Sequence, residues 1–192
     1  MGLSLVTGPT AEPVSLAEAK AHLRVSHSNE DALLATYLMA ARAAAENYTR
    51  RALAVQTFDQ TFDYGVPCSA DGRPRLVLLR SPVVSVTSVS YVDTNGVLQT
   101  LNPSQYLVDT IGIEGRIEQA YGVTWPEVRD QMAAITVRFV AGYAQIPDDV
   151  RAAILLTLGH LYEHREDVVV GPSANQLPRG AEALLFPYRV FY

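Results

Sequence analysis

A single cysteine, Cys68, stands in 192 residues, which excludes an intramolecular disulfide and a thiolate metal cluster within one chain. Lysine is nearly missing too: Lys20 is alone against fourteen arginines, a bias that suits bidentate pairing at interfaces and equally follows from a GC-rich genome. Positive charge is not in excess, since the formal net charge is -5 and the pI is near 5.3. The broad basic field that sequence-independent DNA binding draws on is therefore absent. No apolar run approaches the roughly 20 residues of a membrane-spanning helix. The first residues, MGLSLVTGPTAEP, carry neither a basic segment nor a hydrophobic segment of the secretory kind. A soluble chain made in a cytoplasm, with no membrane partner, is the expectation. Solenoid repeats, low-complexity tracts, a GxGxxG turn and a P-loop lysine are all missing.

What is present is the composition of a folding chain: 48% hydrophobic and 18% charged residues, over a length that suits one domain with a sizeable insertion. Ten of the sixteen aromatics are tyrosine, a residue suited to sites with one buried and one wet end, interfaces included.

The order of local patterns is helical, then strand-like, then helical. Ser15 and Glu18 form a capping box for a helix near 16–24. Ser28 and Asn29, with Glu30 and Asp31 in a first turn, predict a second start. From there Leu33, Leu34, Tyr37, Leu38, Ala41, Ala44, Ala45 and Tyr48 recur at three and four, which predicts a long helix over 30–51. From Val55 the period changes to two, with Phe58, Phe62 and Tyr64 on one parity and Asp59 and Asp63 on the other. Further strands are expected at 76–80, 83–92, 97–101, 105–109, 115–118 and 135–140. An extra residue between Val86 and Val89 predicts a bulge. Asp93-Thr94-Asn95-Gly96 predicts a primed hairpin turn. After Gly142, Pro147, Asp148 and Asp149 open a helix over 147–166, with Val150, Ala153, Ile154, Thr157, Leu158, Leu161 and Tyr162 on its apolar face.

The reading is therefore an α+β protein: a helical core of 15–54 and 144–176, a β-rich insertion over 55–143, and an arm over 177–192. Residues 168–176 read as a breaker region. The arm, LPRGAEALLFPYRVFY, is apolar and aromatic where chain ends are usually polar, so it needs a docking place, either on its own chain or on another subunit.

Candidate chemistry is thin. His160, Glu163 and His164 fit the HxxEH pattern of inverted zinc peptidases, in which two histidines one helical turn apart share a zinc and the glutamate acts as general base. A third ligand is lacking, because Glu166 is badly spaced and Glu182 is the one other glutamate that follows. The histidines read instead as the decorated end of a packed helix. Asp59 and Asp63 read as the wet side of a strand. His22 and His27 lie at a turn without partners, Cys68 has no activating neighbour, and Gly112 to Gly115 is turn chemistry. No catalytic, metal or cofactor-binding residue follows, and the expectation is a protein that is not an enzyme. The rival from another class is a small zinc hydrolase on the HxxEH segment.

In order, the segments PVSLAEAKAHLRV, the alanine-rich helix ending YTRRAL, the β stretch containing SVSYVDTNG, IPDDVRAAILLTLGHLYEHRE, and LPRGAEALLFPYRVF resemble the head-tail connector (adaptor) proteins of tailed phages, prophages and gene transfer agents. The resemblance covers nearly the whole chain. It implies a structural virion protein whose copies form a ring, commonly of twelve, under the portal. Such a ring extends the DNA channel toward the tail and meets a downstream head-closure or tail protein. It implies a place in the virion neck, with assembly in the cytoplasm of a bacterial host, and DNA passing without specific binding. It supplies no catalytic residue. It implies that the arm docks on the portal, which makes Leu177, Leu184, Leu185, Phe186, Tyr188, Val190, Phe191 and Tyr192 the candidate contact residues. Another neck protein, for head closure or tail completion, is the neighbouring alternative.

Overall fold

Apolar residues recurring at three and four must share one face of a helix. In the computed structural model, which describes residues 1–68, 72–164 and 177–191, Leu34, Leu38, Ala41 and Ala45 do line the buried face of α2 (Asp31–Thr49). The chain divides into two units, one of Ala11–Ala54 and Ala144–Tyr192, the other of Met1–Thr10 and Val55–Tyr143.

The first unit is helical. It joins α1 (Leu16–Leu23), α2, α3 (Asp148–Glu163) and α4 (Arg179–Leu185), the last running into a single 3-10 turn at Phe186–Tyr188. The capping box forms as the sequence requires: the Ser15 hydroxyl accepts the Glu18 N–H at 3.2 Å, and the Glu18 carboxylate accepts the Ser15 N–H at 2.9 Å. The start of α2 differs from expectation. Glu30 occupies the N-cap with no side-chain cap, and Ser28 contributes only its carbonyl, to the Asp31 N–H at 3.2 Å. The acidic pair instead ties helices together. Glu30 accepts the Tyr162 hydroxyl at 2.6 Å, and Asp31 receives the Lys20 ammonium at 2.6 Å. On α3 the buried set is Val150, Ala153, Ile154, Thr157 and Leu158, the face read from the sequence. α2 packs against α3, and the small side chains of Ala41 and Ala45 on α2 and Ala153 on α3 are fully buried.

The second unit is a pair of antiparallel sheets. The larger, in the order β1-β2-β8-β4-β5, uses β1 (Gly2–Thr7), β2 (Gln56–Phe62), β4 (Val83–Val92), β5 (Leu98–Thr100) and β8 (Ile135–Ala141). The smaller, β3-β7-β6, uses β3 (Arg75–Leu78), β6 (Tyr106–Asp109) and β7 (Gly115–Gln119). Alternation along β2 buries Phe58, Gln60 and Phe62, and Phe58 stacks beside its cross-strand partner Phe139 with ring centroids 5.7 Å apart. Gln60 is a polar side chain in this core. It is satisfied because its amide donates to the Val77 carbonyl and accepts the Leu79 N–H, each at 2.8 Å.

Three sequence expectations are corrected here. Tyr64 does not extend the buried parity of β2: the strand stops at Phe62, Tyr64 takes a positive φ of 58°, and its side chain is exposed. The Asp93–Gly96 turn is not a primed two-residue turn, because only Gly96 has a positive φ (84°). It is a three-residue loop closed by Gly96 N–H to Asp93 O at 2.8 Å, with the Asp93 carboxylate accepting the N–H groups of Asn95 and Val97 at 2.9 Å each. Strand β1 was not anticipated, and it pairs with β2 as an edge strand exposed at five of its six residues. The expected bulge is present, as a register shift between Val86 and Ser88, with a second between Val83 and Ser85.

Candidate interaction surfaces

The arm is seated on its own helical unit. Its apolar spacing, once α4 has formed, puts Ala181 and Leu185 on one face, and both are fully buried against a surface formed with α3 and α2. Beyond α4 the tail is held through its own backbone groups. The Val190 N–H donates to the Thr49 carbonyl at 3.0 Å, and the Arg51 guanidinium donates to the Tyr188 carbonyl at 2.6 Å. The Arg189 guanidinium lies 5.2 Å from the ring centre of Tyr48 and 5.0 Å from that of Phe191, within range of cation–π attraction. Thus the segment YTRRAL is the receptor of the arm: Tyr48 offers its ring, Thr49 its carbonyl and Arg51 its donor. In the sequence Tyr48 reads only as a residue of the helix's apolar face, and Thr49 and Arg51 are not singled out. An apolar tail announces that it needs a partner, but nothing in its composition identifies a partner as far back as Arg51, 137 residues before Tyr188.

The eight candidate contact residues separate accordingly. Leu185 and Val190 are sealed, at 0% and 2% exposure, whereas Phe186 and Phe191 stand 59% and 67% exposed. Leu177, Leu184 and Tyr188 are half-buried. Tyr192 lies outside the described residues.

The other singled-out groups resolve into structure. His160 and His164 are both exposed, with ring centres 4.5 Å apart, and His164 Nδ1 sits 3.1 Å from the His160 carbonyl oxygen. Among the described residues no three His, Cys, Asp or Glu side chains converge as a metal site; Glu166 lies outside them. Asp59 pairs across strands with Arg138, whose two nitrogens reach its two oxygens at 2.8 and 2.7 Å, and that pairing holds the carboxyl below its ordinary value. Asp63 accepts the Ala133 N–H at 2.8 Å and pairs with the Met1 ammonium, and those bonds likewise lower its pKa. Neither aspartate faces the other as an acid–base pair. His22, His27 and Cys68 are exposed. Among the described residues no helix is long and apolar enough to cross a membrane.

Exposed apolar side chains mark the remaining surfaces. In the β unit these include Leu5 and Val6 on the edge strand β1, and Leu107, Ile111 and Ile113 on the β6–β7 hairpin. The same unit also exposes Tyr64, Val97, Leu98, Tyr121 and Met132, and single exposed apolar residues are ordinary on a surface.

Residues 13–70 match the family model of phage gp6-like head-tail connector proteins. No curated protein matches the chain. Among solved structures, a chain in the neck of an empty gene transfer agent particle, computed with C6 symmetry, is 26% identical, with a TM-score of 0.80 over 100% of this chain and 97% of that one. The virion of a native gene transfer agent holds a chain with a TM-score of 0.79, and the neck of a native particle computed with C12 symmetry one with a TM-score of 0.76. Both are also 26% identical, over 100% of this chain and 97% of theirs.

Proposed function

We infer that this chain is a head-tail connector protein of the gp6-like kind, a structural subunit of a virion neck. The observation that carries this reading is the whole-chain likeness to neck proteins, in which α1 to α4 and both sheets take part at 26% identity. The family-model match covers α1, α2 and β2, the part of the chain that holds the arm's receptor. Copies assemble as a closed ring, and the C12 symmetry of a similar neck favours twelve. The ring binds the portal on one side and a head-closure or tail protein on the other, and DNA passes through it. A wall with net charge -5 does not trap the phosphates that move past it.

The arm contributes to portal contact through its outer face. Leu185 and Val190 anchor it, and Phe186 and Phe191, with parts of Leu177, Leu184 and Tyr188, are presented outward. Exposed aromatics held on a docked segment lose little conformational freedom on binding, which suits them to anchor an interface. The test is co-sedimentation of the purified chain with the portal ring encoded by the same genome. Binding at about one chain per portal subunit, lost in a Phe186→Asp, Phe191→Asp variant of unchanged melting temperature, is the expected result. Undiminished binding of the variant would remove the arm from the portal interface, and no binding by the wild type would favour a tail-side neck protein.

A further inference from the structure

We propose that the exposed histidine pair at the end of α3, His160 and His164, chelates a divalent transition-metal ion of the zinc, copper or nickel kind. The proposal concerns binding alone and does not depend on the neck reading. It differs from a zinc hydrolase, which needs a third protein ligand that the described residues do not bring to this pair.

Spacing is the first support. Residues four apart stand one above the other on a helix face, and both of these side chains are exposed to water. Their ring centres lie 4.5 Å apart, with the ring planes tilted by 34°. An ion about 2.0–2.1 Å from one nitrogen of each ring, with about 90–110° between the two bonds, sets the ring centres roughly 4.5–5 Å apart. The separation found is already within that range, so chelation asks for little beyond ring rotation.

The placement of a proton is the second support, independent of the spacing. His164 caps α3 with a φ of -111°, and its backbone N–H donates to the His160 carbonyl at 3.0 Å. The same carbonyl oxygen lies 3.1 Å from His164 Nδ1. A carbonyl oxygen can only accept, so Nδ1 carries the proton and, in the neutral ring, Nε2 holds the free lone pair. Metal-binding histidines are held in this way, with the second ring nitrogen donating to a backbone carbonyl that fixes both ring and tautomer.

The helix end that presents the pair is anchored. Thr157 and Leu158 are buried, and the Tyr162 hydroxyl donates to Glu30 at 2.6 Å, so the two imidazoles project from a fixed element. Imidazole nitrogen suits zinc, copper and nickel, whereas magnesium and calcium take oxygen ligands. Water completes the coordination that two protein ligands leave open.

Calorimetric titration of the full chain, carrying no histidine tag, with zinc near neutral pH tests the site. One ion per chain is expected, with affinity about tenfold or more weaker in His160→Gln and in His164→Gln, unchanged in His27→Gln, and no binding of magnesium. Zinc should raise the melting temperature of the wild type and leave that of the two variants where it was. With copper, electron paramagnetic resonance should show two coordinated imidazole nitrogens in the wild type and one in each variant. No zinc binding by the wild type, or binding undiminished in both variants, would overturn the site. An equal loss in His27→Gln would also overturn it, by showing scattered binding to single histidines.

Discussion

At the residue scale, the two kinds of side chain in the arm make opposite predictions. Leu185 is fully buried beside Ala181, so Leu185→Ala removes packed methyl groups and should destabilise the protein by about 2–5 kcal/mol, read by denaturant unfolding. Phe186 and Phe191 bury little, and their replacement should change stability by less than about 0.5 kcal/mol. A stability loss at Phe186 equal to that at Leu185 would contradict the division into anchor and presented face. Asp59 supplies a pH test. Arg138 holds its folded pKa below the ordinary 3.8, so the stabilisation from this pair is fully present above that value and is lost as the pH falls through the lower, folded value. Asp59→Asn should therefore lower the melting temperature at neutral pH, and the gap to the wild type should close as the pH falls below 3.8 and on through the lower, folded value. A gap that persists unchanged in acid would show that the substitution acts through packing.

At the element scale, Gly115 at the start of β7 decides how closely the small sheet approaches β4. A Cβ at that position would lie 2.2 Å from Val83 Cγ2, which requires the Val83 side chain to turn or one strand to shift. Gly115→Ala should cost about 1–3 kcal/mol, measured by thermal or denaturant unfolding, and Val83→Ala in the same chain should restore part of it. The elements themselves were largely legible. α2, α3 and β2 follow from apolar periods of three to four or of two, because each buries one face and the period records that burial, whereas α1 follows from its capping box and the other strands from short apolar runs bounded by turn residues. β1 escaped because an edge strand exposed on both faces leaves no such record, although its Leu3 and Leu5 share a parity. The capping of α2 was misread because Ser28 and Asn29 are good caps by type, while the chain turns one residue later and uses Glu30 and Asp31 to reach Tyr162 and Lys20. In the same way, α4 was hidden within an arm whose apolar content drew attention to docking and away from its helical spacing.

At the scale of the whole molecule, the identification came from the order of segments more than from any single motif. That order was legible in the sequence, and both the family-model match over residues 13–70 and the whole-chain likeness to gene transfer agent necks agree with it. The surfaces were less legible, for a physical reason. Composition records how much apolar surface a chain must hide, and says little about which part is hidden within one copy. Only the fold separates Leu185 from Phe186, or shows Ile111, together with Ile113 from the stretch read as turn chemistry, as an exposed apolar tip. The central claim is that many copies of this chain encircle one DNA path, and the direct measurement is an electron cryomicroscopy reconstruction of necks assembled with the tagged chain. The account predicts a closed ring of twelve copies, each with the helical unit and the two sheets described above, lying between portal and tail. Necks that are complete without the chain, or that hold it in a single copy off the axis, would contradict it.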